Sequence, residues 1–75
     1  MPKIYSGKLV IKILSRRFGF SFVSQKGSHV KLEKAAKNKT ITTIVPLHKE
    51  LSPGTLRGAL DLAEVEETEF KKYKK

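Results

Sequence analysis

The segment FSFVSQKGSHVKLEKAAKNKTITTIVP, Phe20 to Pro46, decides the fold. It is rich in β-branched and aromatic residues and is broken twice by short polar punctuation. Phe20–Ser24 reads as a first strand, followed by the turn signal Lys26-Gly27, where glycine permits positive φ. Ser28–Lys34 alternates: Val30 and Leu32 point one way, and His29, Lys31 and Glu33 the other. Ala35–Lys39 reads as a polar connection and Thr40–Val45 as a third strand. Pro46 has no N–H to give a ladder and ends that strand. Consecutive strands with such short connections pair antiparallel.

Helices flank this segment. Ser6 is a suitable N-cap for a helix to Phe18, with Leu9, Val10, Ile13 and Leu14 as its apolar stripe. Gly19 can take the left-handed conformation that ends it. Lys8, Lys12 and Arg16 recur every four residues on another face, either as a solvated row or as a phosphate-contacting one. After the loop LHKEL, Ser52 and Pro53 mark a second helix start. Leu56, Leu60 and Ala63 or Ala59 supply its buried stripe, to about Ala63. Glu66–Lys74 is either a further short helix, with Val65 and Phe70 as anchors, or a frayed tail. The expected fold is α+β, in the order α-β-β-β-α. Two helices pack on one face of a three-stranded antiparallel sheet. Val30 and Leu32 then face the helices, and His29 and Lys31 face outward.

With 75 residues the chain is one domain, with core 6–63, and no internal repeat or linker is visible. It has no cysteine, which rules out disulfides and a cysteine-based zinc site. No apolar run reaches the ~20 residues of a membrane span, and MPKIYSGK lacks the apolar core of a signal peptide. These features point to a soluble, cytoplasmic protein without membrane attachment. The net charge is +9, from 16 Lys and Arg against 7 Asp and Glu. The acids concentrate at Asp61, Glu64, Glu66, Glu67 and Glu69, so residues 1–59 are strongly basic. A basic body attracts polyanions over long range, nucleic acid first among them.

His29 is the residue on which function turns. An imidazole titrates near ~6.5 and holds or gives up a proton around neutrality. A neutral imidazole can take the proton of a ribose 2′-OH, and the alkoxide can then attack the adjacent phosphorus. Such a base typically contributes about 10²–10⁴-fold. Lys26 and Lys31 flank it and would stabilise charge growing on the phosphate oxygens. Gly27 and Ser28 would bring backbone N–H groups to the phosphate. The leaving 5′-oxygen would take its proton from His48, Lys26, Lys31 or water, with a lysine or water favoured. Two histidines with few nearby carboxylates make a poor metal site, so no metal or other cofactor is expected. No Gly-rich nucleotide loop, Ser-His-Asp pattern or helix-turn-helix spacing is present.

These pieces, taken in order, resemble a known family. SGKLVIKILSRRFGFSFVSQKGSHVKL followed by TTIVPLHKELSPGTLRGAL is similar over residues 6–63 to the HicA (YcfA-like) mRNA interferase toxins of HicA/HicB toxin–antitoxin systems. The shared features are the SGK helix, a strand ending Q-K-G-S-H, a β-branched strand into P-x-H, and P-G-T-L on the last helix. Glu64 stands where a glycine is usual.

The resemblance implies a fold like a double-stranded-RNA-binding domain. It implies ribosome-independent cleavage of mRNA and other RNA, with His29 as the catalytic histidine and Gly27 shaping the site; with no metal expected, the enzyme would be a metal-independent endoribonuclease. It also implies a HicB-like antitoxin, acidic where it meets the toxin. Lys8, Lys12, Arg16, Lys31, His48 and Lys49 form the expected RNA-binding set. The free toxin is expected to be a monomer, because the open sheet face reads as polar and neither helix shows a spare apolar face. The competing readings are a non-catalytic RNA-binding module of the same fold and a protein whose basic face only meets an acidic chain.

Overall fold

The computed structural model describes residues 4–73; Lys74, at the end of the C-terminal segment read above, lies outside them. The order is α1 (Gly7–Arg17), β1 (Ser21–Lys26), β2 (His29–Ala36), β3 (Lys39–Pro46), α2 (Pro53–Ala63) and α3 (Glu67–Phe70). The strands form one antiparallel sheet in the order β1-β2-β3. The predicted α+β architecture is present, and of the two readings of the C-terminal segment the short helix forms, over Glu67–Phe70.

α1 starts where Ser6 accepts a hydrogen bond from the Leu9 N–H at 3.1 Å. It buries Val10, Ile13 and Leu14, with Leu9 half-buried. Gly19 follows its C-cap at φ +79°. α2 is capped in the same way by Ser52, whose hydroxyl accepts from the Thr55 N–H at 3.1 Å. Both Ala59 and Ala63 join Leu56 and Leu60 in its buried stripe. The Thr43 hydroxyl donates to the Ala59 carbonyl at 2.7 Å and ties α2 to β3. A buried hydroxyl needs such a partner, since leaving one unpaired costs about 1–3 kcal/mol.

Both hairpins are tighter than the sequence signals indicate. The first turn is Gly27-Ser28 and not Lys26-Gly27, and the second is only Lys37-Asn38. Gly27 and Asn38 carry the positive φ, +59° and +88°. Once strands pair, each added rung satisfies backbone groups, so the ladder runs on to the shortest turn the chain permits. Ala35 and Ala36 are therefore strand and not connection. Phe20 lies outside the strand and is buried.

Val30 and Leu32 are buried against the helices together with Ile41, Thr43 and Val45. The helices cover β2 and β3 but not β1, all six residues of which are exposed. β1 also carries a bulge: Phe22 pairs with Leu32 and Ser24 with Lys31, leaving Val23 as the extra residue.

α2 ends at Ala63, and Glu64 takes the left-handed conformation at φ +58°. Its carboxylate receives Lys39 Nζ at 2.8 and 3.1 Å. α3 returns the chain to its beginning. Phe70 is fully buried, with its ring centre 5.2 Å from Tyr5 and 6.5 Å from Phe18. Burying one such side chain stabilises by about 1.5–3 kcal/mol. That is enough to hold a four-residue helix with no period of its own.

Candidate active site

The open face of the sheet is a set of cross-strand rungs. Lys26, His29 and Pro46 form the first, and Ser24, Lys31 and Ile44 the second. Ser21, Glu33 and Thr42 form the third. Same-face neighbours two residues apart along a strand are separated by ~6.6–6.8 Å, and adjacent strands by ~4.8 Å. His29 therefore has Lys26 beside it and Lys31 one rung away. All three are exposed. With Ser24 and Ile44 they line a depression of about 470 Å³.

The backbone around this end of the sheet is held firmly. The Ser28 carbonyl accepts from the Leu47 N–H at 2.7 Å. The Gly27 carbonyl accepts from Gln25 Nε2 at 2.9 Å. A Cβ on Gly27 would meet no atom within 4 Å, so its positive φ calls for glycine here, not crowding. Gly7 is the opposite case. A Cβ there would collide with the Pro46 carbonyl oxygen and come within 2.9 Å of Leu47 Cα. The Gly7 N–H donates to the His48 carbonyl at 2.9 Å. The first turn of α1 is thereby pinned behind the strand end that pairs with His29.

The sequence-expected RNA-binding residues fall into two groups. Lys8, His48 and Lys49 are exposed at the same end as His29, because Gly7 joins α1 to the exit of β3. Lys12 and Arg16 are exposed on the helix layer, on the other side of the sheet. Arg16 lies about 14 Å further along the helix than Gly7. Two residues of the depression, Ser24 and Ile44, are absent from the sequence-based set. Ile44 is an exception to the polar reading of this face, since it is apolar and 38 % exposed there. On α2, Leu62 is an exposed apolar side chain, 55 % exposed.

Among the described residues no three His, Cys, Asp or Glu side chains gather as a metal site would require. No helix among them is long and apolar enough to cross a membrane.

The arrangement places an exposed imidazole beside two cations in a solvent-facing depression of the sheet. That is suited to proton transfer beside an anion. No curated protein matches the chain. The family model for the HicA toxin of bacterial toxin–antitoxin systems matches residues 7–65, from the first residue of α1 to just past α2. The match takes in the whole sheet and every rung of the depression, so the chain belongs to the HicA toxin family.

Proposed function

We infer that this toxin acts as an endoribonuclease, with His29 as general base. The observation carrying the reading is the position of His29, exposed on the open face with Lys26 across from it and Lys31 one rung away. In the proposed reaction the neutral imidazole removes the 2′-OH proton. The 2′-oxygen bonds to the adjacent phosphorus and the P–O5′ bond breaks. The 5′-oxygen then takes a proton from a lysine or from water, leaving a 2′,3′-cyclic phosphate on one product. Lys26 and Lys31 stabilise the charge on the phosphate oxygens. The residues need no metal for any of these steps. Lys8, His48 and Lys49 hold RNA at the same end of the molecule, and Lys12 and Arg16 extend the basic surface.

The substrate in this reading is mRNA in the cytoplasm, and the free toxin is a monomer. The partner is a HicB-like antitoxin whose acidic surface covers the basic open face, where charge complementarity favours fast association.

The test is cleavage of an RNA in EDTA by wild type beside His29→Ala, with both proteins checked for folding. Wild-type cleavage reduced at least about 100-fold in the variant, with RNA affinity retained, is the expected result. Equal cleavage by the two proteins would remove His29 from the mechanism. Binding without cleavage by either would leave a non-catalytic RNA-binding module.

A further inference from the structure

Ile44 is a large, exposed apolar side chain on a mostly polar face. The residues that share its outward phase in β3 are Thr40, Thr42 and Pro46, which ends the strand. A third threonine would serve the strand equally well, because β-branching is what strands favour. The fold therefore does not require isoleucine here. Single exposed apolar residues are ordinary on protein surfaces, but Ile44 is not isolated from the chemistry. It stands directly across from Lys31 and diagonally from His29. It also lines the depression that both of them share. Diagonal neighbours on a sheet are ~7–8 Å apart, so a group seated on Ile44 is about one nucleotide's reach from the imidazole.

Of the other exposed large apolar residues among those described, Ile4, Phe22, Val23 and Leu62, none lines the depression. Phe22 pairs with Leu32 on the helix side because Val23 is bulged. A regular ladder would have set Phe22 across from Glu33, on the open face. Leu62 is on α2, on the helix layer.

We propose that Ile44 is the seat for a nucleobase flanking the scissile phosphate. The flat face of one unstacked base packs on Ile44, while His29 addresses the 2′-OH and Lys26 and Lys31 the phosphate. The inference rests on the RNA-cleaving reading given above and adds a contact residue to it. A base reaches Ile44 only when it has left its stack. A duplex offers phosphates and 2′-hydroxyls to this face but no base plane. Every base has a π-face, so the contact selects for single strands and not for sequence.

The test measures binding of a single-stranded 2′-O-methyl oligoribonucleotide, which attack through a 2′-OH cannot cut, and of its duplex. Wild type is compared with Ile44→Thr, which keeps the β-branch, and Ile44→Phe, which enlarges the platform. The threonine variant should bind the single strand about 5–10-fold more weakly, and the phenylalanine variant should restore or exceed wild-type affinity. Duplex affinity should move less than about twofold in both. The salt dependence should keep its slope, because an apolar contact releases no counterions. Unchanged single-strand affinity in Ile44→Thr overturns the proposal, as does equal weakening of strand and duplex. Failure of the cleavage reading has a different signature. A wild type that binds the methylated strand through Ile44 but cuts no unmodified RNA leaves the seat in place and removes the reaction.

Discussion

Lys26 stands directly across the β1–β2 ladder from His29, and the two-residue turn Gly27-Ser28 between them is what puts it there. A turn one residue earlier would have set Ser24 across from His29 and moved the cation off the rung. The relation is thus a property of register, fixed by the positive φ at Gly27.

Lys26→Gln should therefore lower cleavage about tenfold. This is less than a buried oxyanion donor contributes, because the site is open to solvent and salt. Lys26→Arg should retain most of the activity. Single-turnover kinetics on one RNA substrate would measure both. A glutamine variant as fast as wild type would show that the cation across the rung takes no part.

Gly7→Ala should destabilise the fold by about 1–3 kcal/mol, the usual cost of forcing atoms into a filled space. The obstacle is the backbone at Pro46 and Leu47, which cannot rotate away as a side chain would. Urea unfolding gives the number. A midpoint equal to wild type would mean that α1 is not held as closely as described.

Glu64→Gly sets two effects against each other. A non-glycine residue in the left-handed region costs roughly 1–2 kcal/mol. The ion pair with Lys39 is about half exposed on both sides, and such pairs contribute about 0–1 kcal/mol. Strain relief should win, with thermal unfolding shifted upward by a gain of about 0.5–1 kcal/mol. A destabilised glycine variant would mean that the Lys39 contact outweighs the backbone.

The Glu67 carboxylate accepts from Lys71 Nζ at 2.9 Å. That hydrogen bond, with the lysine's charge, holds the Glu67 carboxyl below its ordinary value and raises the Lys71 ammonium above its own. A depressed carboxyl contributes stability above its unfolded pKa and loses it as pH falls through the folded value. A raised ammonium contributes below its unfolded pKa and loses it as pH rises through the folded one. The difference in Tm between wild type and Glu67→Gln should be present at neutral pH and close as acid takes the carboxyl through its lowered folded value. It should also shrink in high salt, because the pair is open to solvent. A difference unchanged from neutral to acid pH would assign the effect to something other than this pair.

Much of this architecture is legible in the residues. Ser6 and Ser52 announce their helices, and the alternation of Val30 and Leu32 with His29 and Lys31 sets the two faces of β2. What escapes reading depends on more than one segment. The bulge at Val23 is a property of a strand pair and leaves no mark in either strand alone. In β3 the hydropathy pattern misleads, because the inward residue Thr43 is polar and the outward residue Ile44 is apolar. The threonine is tolerated inside because the Ala59 carbonyl, on another element, accepts a hydrogen bond from its hydroxyl. α3 has no period to decide between the short helix and the frayed tail that the sequence allows, and its anchor Phe70 is held by Tyr5 and Phe18 from far earlier in the chain. The site was half legible for the same reason: His29, Lys26 and Lys31 are neighbours in sequence, whereas Ser24 and Ile44 join them only through pairing.

β1 contributes no side chain to the core; all six of its residues are exposed. A strand with so little buried surface opens at a lower free energy than the whole fold, and its amides exchange with solvent ahead of those of β2. β2 is bonded on both sides, so His29 stays in place when β1 lifts, while Lys26 and Ser24 leave with it. The depression is thus divided along a seam of unequal local stability, and separating β1 from β2 dismantles it while the core remains folded.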